Sequence, residues 1–514
     1  MFSTKWMRIM GVSAAFGFSG LSISRLTVSL PDVDTDSLSV VRLGRAVCTA
    51  LNIAMCYKTK LYSSTLDVDS PEYEKLRSDV HCEAAHMLLK LCRLNKGVYI
   101  KVGQHVGTLD YLVPHEYINV LAVLHSDAPQ SPIESVYKVL REDLKEEPSE
   151  IFESFEDEPL GTASLAQVHK AVLKDGTTVA VKVQHEVVQR NSVTDLFIME
   201  VLVKIMAVLF KDFKFQWLVD ETKLMLPKEL DFTNEADNNR KVKELFCSFK
   251  WLKIPDVYPE LSTSRVLTME FVEGAKVTDL KYIRENNINP MDISKRLGEL
   301  YANMIFRDGF VHSDPHPGNI LIRKNEKNKL VVVLLDHGLY ANLTDEFRLN
   351  YAKLWLSILR QDRKGMQVYS EKMGIKELYP LLVCMVTGRT WESVNKGISK
   401  VEYTKEEQEE FKRKMPIFLT RIGDVLQTVN RELLLILKAN DLLRGIEFSL
   451  KIDKRQASFL VMTKCCVNSL YEERKKQCQY MIKKVYLSVS RAWAIFKINV
   501  YYTYLIAGTM IGLI

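Results

Sequence analysis

The sequence predicts an α+β protein of two lobes, with a helical extension at its N-terminus and a helical tail at its C-terminus. Three observations predict it. Residues 72–148 carry apolar side chains at helical spacing. From about residue 159 the pattern changes to short, alternating, β-branched runs. After residue 345 helical spacing returns and continues to the end. With 514 residues the chain is too long for one simple core. Its 47% hydrophobic and 26% charged content is that of an ordinary globular protein, and a net charge of +6 gives no argument for nucleic acid as a partner. The nine cysteines are odd in number, scattered and free of C-x-x-C, which argues against a disulfide scaffold or a structural zinc site.

Along the helical region, "AAHMLLKLC" and "EYINVLAVLH" show the spacing; Pro129 and Pro132 interrupt it, and Glu134 to Leu144 resumes it. "TTVAVKVQ" (177–184) reads as a strand, joined to "AQVHKAVLK" through Asp175-Gly176, a hairpin signal. A long helical stretch follows, from about 192 to 248. "RVLTMEF" (265–271) is a further strand, and "KLVVVLLD" (329–336) is a buried one. Residues 405–414, "KEEQEEFKRK", read as a solvated helix face. Helices, then a small strand-rich region, then a mostly helical remainder is the order of a bilobal kinase-like fold carrying an N-terminal helical addition.

Both ends invite a membrane reading. The first 31 residues hold Lys5, Arg8 and Arg25 and no acid, a composition that suits mitochondrial targeting. Ile9–Ser24 is uncharged but reaches only about 24 Å as a helix, against about 30 Å of bilayer core, so a permanent anchor is the second reading. At the other end everything after Lys497 is uncharged. Tyr501, Tyr502 and Tyr504 suit a membrane interface, Gly508 and Gly512 form a G-x-x-x-G, and Lys483, Lys484 and Arg491 suit anionic head groups. A buried final helix is the alternative.

"VHSDPHPGNILI" (311–322) reads in two ways. His312, Asp314 and His316 alternate as in a metal site, but a zinc hydrolase needs further ligands, and His337 is the only other candidate nearby. The same stretch places Asp314 five residues before Asn319, the spacing of a phosphoryl-transfer loop, and "DHG" at Asp336 follows a buried strand. On that reading Asn319 and Asp336 hold Mg²⁺, Asp314 faces the acceptor hydroxyl or water, and Lys182 in "VAVKVQ" supplies the nucleotide lysine from its strand. His312 is then a structural histidine bracing the loop. Met269 backs an adenine pocket, with Glu270 to Val272 offering backbone groups to the base. The phosphate loop departs from the usual three glycines: "PLGTASLAQVH" has Gly161 alone, then Ala163 and Ala166, whose Cβ atoms crowd a backbone approach to phosphate.

These residues resemble the UbiB-type, or aarF-domain (ADCK), atypical kinases. "KVGQ" (101–104) matches that family's K-x-G-Q motif. "GTASLAQVH" is similar to its alanine-rich loop, with Gly161-Thr162-Ala163-Ser164 where members often have A-A-A-S. "ELDFTNEA" resembles its E-x-D insert through Glu229 and Asp231, and "HSDPHPGN" and "LLDHG" match its catalytic and metal loops. The resemblance implies binding of ATP or ADP with Mg²⁺, and a regulatory role for Lys101, Gln104, Glu229 and Asp231, with the K-x-G-Q helices partly covering the cleft. The glutamate partner of Lys182 is read as Glu235, which the family pattern picks, over Glu200, which ordinary kinase spacing picks. Members work in mitochondria, plastids and bacteria, often near isoprenoid-quinone and lipid metabolism.

The expected divisions are 1–31, a targeting or anchor segment; 32–148, the helical extension; 149–272 and 273–480, the two kinase-like lobes; and 481–514, a basic then apolar tail. The expected function is a Mg-nucleotide-dependent ATPase or kinase at a mitochondrial membrane, acting on a lipid or small-molecule acceptor. A non-catalytic nucleotide-sensing scaffold and a protein kinase are the alternatives. Oligomeric state is not legible.

Overall fold

The computed structural model describes residues 38–107, 113–125, 130–210, 215–313, 316–376, 378–396, 431–452 and 456–510. The basic N-terminal segment, Asp314, the 405–414 charge run and Gly512 lie outside the described residues. The fold is α+β, in two compact units. The first is the chain up to Ala236 together with Asp256–Phe271; the second is Asp237–Pro255 together with Val272 onward.

The first unit opens with helices α1 (Ser39–Cys56), α2 (Pro71–Asn95), α3 (Val98–Gly107), α4 (His115–Leu121) and α5 (Ile133–Leu144). Ser70 caps α2 by accepting from the Tyr73 amide at 3.2 Å, and Pro71 fits its first turn. A five-stranded sheet follows, made of β1 (Phe152–Phe155), β2 (Gly161–Thr162), β3 (Ala166–Leu173), β4 (Thr178–Gln184) and β6 (Val266–Glu270), ordered β1-β3-β4-β6 with β2 also on β3. The β3–β4 hairpin turns where the Asp175-Gly176 signal lies: the Asp175 carboxylate accepts from the Thr177 amide at 2.8 Å, and Gly176 sits at φ +84. The alternation of β4 divides its two faces. Val179, Val181 and Val183 pack with Val136, Val139 and Leu140 of α5. Ala180 faces the other way, among Phe232, Leu267 and Met269. Three helices complete the unit and its exit: α6 (Glu186–Leu209), α7 (Gln216–Glu229) and α8 (Phe232–Leu245). The sequence suggests one long helical stretch from about 192. The structure starts it earlier and divides it, and Asp231 caps α8 by accepting from Thr233 through both its amide (3.0 Å) and its hydroxyl (2.6 Å).

Ser39–Leu61 is, among the described residues, the one helix long and apolar enough to cross a membrane by length and composition, with a mean hydropathy of 1.3. Here it is part of the first unit's packing. Ala46 is fully buried, and Arg42 is ion-paired to Asp195 of α6, with only 5% and 1% of the two residues exposed. Burial pushes the Asp195 carboxyl up, and the Arg42 guanidinium opposes that shift. Arg42→Met is expected to cost about 3–5 kcal/mol in urea unfolding, because the aspartate keeps its burial and loses its counter-charge. Arg42→Met with Asp195→Leu should recover most of the loss. A single variant as stable as the parent would contradict this.

The second unit holds a four-stranded sheet, ordered β5 (Leu252–Lys253), β10 (Leu330–Leu334), β9 (Ile320–Lys324) and β7 (Ala275–Lys276), and a two-stranded one, β8 (Phe310–His312) with β11 (Tyr340–Asn342). Helices α9 (Pro290–Ala302), α10 (Asp345–Leu359), α11 (Arg431–Ser449), α12 (Gln456–Lys476) and α13 (Met481–Met510) surround them. Between α9 and β8 the chain makes a buried π-helical turn, Asn303–Asp308, closed by Gly309 at φ +65. A side chain at Gly309 would also stand 3.2 Å from the Leu343 carbonyl. Arg348 of α10 holds this turn by donating to the Phe306 carbonyl at 2.7 Å. All nine cysteines carry free thiols; Cys56, Cys92, Cys384 and Cys466 are buried.

Candidate functional site

Lys182 lies on β4 in register with Leu267 of β6, on the face shared by Ala180. Its ammonium meets both carboxylate oxygens of Glu235, at 2.9 and 2.7 Å, and lies 5.0 Å from the centre of the Phe232 ring. Glu235 comes from the first turn of α8 and is only 3% exposed. Glu200 instead takes Lys204 and Lys223 on the surface of α6, and those two lysines hold its carboxyl down at about 2. Of the two glutamates considered from sequence, Glu235 is therefore the one beside Lys182.

The alanine-rich loop is a tight turn between β2 and β3. Gly161 and Thr162 pair with Val168 and Gln167, and the Ala163 amide donates to the Ala166 carbonyl at 2.8 Å. Ser164 is buried. A Cβ at Gly161 would meet nothing within 4 Å, so packing does not demand glycine there.

A hydrogen-bonded chain not foreseen from sequence fixes this loop. His185 donates from Nε2 to the Ala163 carbonyl (3.1 Å), and its Nδ1 meets the Ser131 hydroxyl (2.8 Å). The Ser131 amide donates to Gln167 Oε1 (2.8 Å), Gln167 Nε2 donates to His169 Nε2 (2.9 Å), and His169 Nδ1 donates to the Glu156 carbonyl (2.8 Å). Every link needs neutral imidazoles or suits them. Burial lowers both histidines from their ordinary 6.5; hydrogen bonds to the carbonyls partly oppose this. Below 6.5 the unfolded chain binds protons that the folded one does not. The stability these residues contribute is thus complete above 6.5 and lost as pH falls through their folded-state values. His169→Asn is expected to flatten the fall in Tm between pH 7 and 5; a slope equal to the parent's would contradict this.

Lys101 of α3 pairs with Glu229, at the end of α7, at 2.6 Å, so the K-x-G-Q and E-x-D segments are tied by a half-buried ion pair. The Gln104 amide donates to the Leu124 carbonyl at 2.9 Å, within the helical layer. Gly103 permits that layer to close: a Cβ there would come within 2.5 Å of Leu124 Cδ1 and 3.0 Å of Cys92 Sγ. Asp231 serves as the α8 cap described above.

Met269 is buried on β6. The Glu270 amide donates to the Asp256 carbonyl at 2.7 Å, and the Phe271 amide to the Thr178 carbonyl at 3.4 Å, so these two N–H groups are engaged within the first unit. Val272 falls in the second unit, packed with Val331 and Val333.

In the second unit, Asn319 Nδ2 donates to Asp336 Oδ2 at 3.1 Å, and the Gly338 amide donates to Asp336 Oδ1 at 2.9 Å. The Leu335 amide donates to the Asn319 carbonyl at 3.0 Å. The two loops are thus joined through both backbone and side chains. His312, 1% exposed, donates from Nε2 to the Asp336 carbonyl at 2.9 Å, the bracing role expected of it. His337 is also buried, donating from Nε2 to the Leu334 carbonyl and accepting at Nδ1 from the Tyr340 hydroxyl. His316 turns its Nδ1 onto the Gly318 amide. With these ring nitrogens engaged, no group of three or more metal-ligating side chains exists among the described residues. Asp314, the central residue of the hydrolytic zinc reading, lies outside the described residues, and His312 Nε2 and both His337 ring nitrogens are held in hydrogen bonds. The Asn319 amide oxygen and the Asp336 carboxylate are instead a pair of hard oxygen donors on a braced loop, a donor set that fits Mg²⁺. Asn238 of α8 donates to the His337 carbonyl at 3.0 Å, a further support of the same loop.

The sequence profile of the ABC1 atypical kinase-like domain matches residues 123–370. The chain is 53% identical over 490 residues to AarF domain-containing kinase 1 of Drosophila melanogaster, covering 95% of each. It is 49% identical over 470 residues to AarF domain-containing protein kinase 1 of Mus musculus, covering 91% of this chain and 89% of that one. Among solved structures it is similar to the Rv3197–erythromycin complex from Mycobacterium tuberculosis, with a TM-score of 0.45 and 23% identity over 73% of this chain and 97% of that one.

Proposed function

The chain belongs to the ABC1 (AarF) family of atypical kinase-like proteins, and from that premise we propose that it is an atypical kinase or ATPase acting on Mg-bound ATP or ADP. The observation that carries the reading is the Asn319–Asp336 pair, an amide and a carboxylate joined by a 3.1 Å Nδ2–H···Oδ2 hydrogen bond and braced by His312, which bring two hard-oxygen side chains together. In this reading Lys182, held by Glu235, steadies the nucleotide phosphates. Asn319 and Asp336 hold Mg²⁺, and Asp314 orients the acceptor hydroxyl or water and receives its proton. Bound Mg²⁺ would neutralise phosphate charge and fix the phosphate geometry. Met269 lines the base pocket. Gly161 to Ser164 close over the phosphates, and Glu270 and Val272 offer backbone groups to the base. Lys101 and Glu229 act as a regulatory tie, with Gln104 and Asp231 maintaining its two helices. The acceptor is a lipid or small molecule and not a general protein substrate. The setting is a mitochondrial membrane, in lipid or isoprenoid-quinone homeostasis, which the basic N-terminal segment favours.

Phosphate release by the full chain with Mg-ATP and liposomes tests this. The parent should release phosphate above background, and Asp314→Asn should fall by about a hundredfold. Equal background rates would leave a nucleotide-sensing scaffold. One observation favours that second reading: the Ala163 amide is already engaged by the Ala166 carbonyl, so the turn has one amide fewer for phosphate.

A further inference from the structure

The helix α13 presents an apolar face to solvent. Ile482, Val485, Tyr486, Val489, Trp493, Phe496 and Val500 are each more than half exposed. They recur at three- and four-residue steps, so they form one stripe along the helix. The opposite side is the packed one. Arg491 pairs with Glu472 of α12, and Arg491, Ile495 and Asn499, with Phe496 at the edge of the stripe, line a shallow groove with Asn468 of the same helix. A soluble helix with this pattern would turn its stripe inward; this one turns it outward.

The charge on the helix identifies what covers the stripe. From Met481 to the end the sequence has Lys483, Lys484, Arg491 and Lys497 and no acid. The Lys497 ammonium lies 5.6 Å from the centre of the Trp493 ring, and Trp493 and Phe496 stack at 5.4 Å, so a cation sits beside the stripe's aromatic patch. Apolar stripe, aromatic residues and flanking lysines of one sign are the composition of a helix lying in a membrane interface. A second copy fits poorly, since stripe-to-stripe contact would bring like charges together. A spanning helix fits poorly too. The cations of α13 run from Lys483 to Lys497, along most of the stripe's length, which suits a helix lying in the interface rather than crossing it.

We propose that α13 docks the protein on an anionic bilayer surface, its stripe sunk to the boundary of head groups and acyl chains and the flanking Lys483 and Lys497 on lipid phosphates. The proposal gives the membrane association of the preceding subsection its docking element; it does not rest on the nucleotide chemistry. The test is co-sedimentation of the full chain with vesicles of phosphatidylcholine, alone or mixed with phosphatidylglycerol. The parent should bind the mixed vesicles, bind plain ones weakly and come off in high salt. Lys483→Gln with Lys497→Gln should weaken binding to mixed vesicles on the order of thirtyfold. Val489→Asp with Trp493→Asp, both at exposed positions, should abolish it. Bromine placed in the acyl chains should quench parent fluorescence, and Trp493→Phe should lose that quenching while still binding. Asp336→Asn should bind as the parent does, which separates docking from nucleotide chemistry. If the parent binds and both double variants bind equally well, the helix assignment falls and the membrane setting stands. If the parent does not bind, both fall. A parent that dimerises through the stripe, with Val489→Asp and Trp493→Asp giving monomers and no lipid bound by either, also overturns the proposal.

Discussion

Asp336→Asn is expected to abolish nucleotide-dependent behaviour while leaving the fold intact. The aspartate carboxylate accepts from the Gly338 amide through one oxygen and from the Asn319 amide group through the other. An asparagine keeps a single acceptor, so it can hold the Gly338 turn but sets an NH₂ group against the one on Asn319. The larger loss is the negative charge, without which the loop offers only neutral oxygens to a divalent cation. Phosphate release is expected to fall by about a hundredfold or more. A nucleotide supplied at 100 times its Kd should stabilise the parent by about 2.7 kcal/mol and the variant by almost nothing. Without nucleotide the two should melt together. A variant that keeps the nucleotide-induced shift would remove Asp336 from the site.

Lys182→Met is expected to cost stability as well as nucleotide binding. Glu235 is 3% exposed and the lysine side chain 17%, so the pair is mostly withdrawn from water. Removing the ammonium leaves a buried carboxylate facing a thioether and ends the contact with the Phe232 ring. The expected cost is about 3 kcal/mol, toward the low end for buried pairs because the lysine retains some solvent. Lys182→Met with Glu235→Leu should recover most of that stability while leaving nucleotide binding lost. This combination separates the structural cost of the broken pair from the loss of a phosphate contact. A single variant as stable as the parent in urea would show that the pair is better hydrated than its burial indicates.

Some of this was legible because it is local. The Asp175-Gly176 turn, the alternation that sets Lys182 apart from Val181 and Val183, and the apolar run ending at Asp336 all follow from a few adjacent residues. The spacing of Asp314 and Asn319 belongs to the same class. What escaped depends on distant partners. Nothing at Leu252-Lys253 marks a strand, because two residues have no period; they pair in parallel with Val332 and Val333, far along the chain. Ser39–Leu61 was not read as part of the core because its role depends on Asp195, which lies 153 residues away from Arg42. Helical periodicity places both Glu200 and Glu235 on helices and cannot choose between them; the choice is made by where α8 begins, at the Asp231 cap. The histidine chain through Ser131, Gln167 and His185 could have been suspected only from the unusual number of polar residues buried in and beside β3.

The central proposal is that binding of Mg-nucleotide needs both Lys182 with Glu235 and Asp336 with Asn319. Calorimetric titration of a non-hydrolysable ATP analogue tests it most directly, with Mg²⁺ and with EDTA, on the parent, on Lys182→Met with Glu235→Leu, and on Asp336→Asn. The account predicts a single site in the parent that needs Mg²⁺, and loss of that site in either variant. Undiminished binding in both variants, or parent binding that EDTA leaves unchanged, would contradict it.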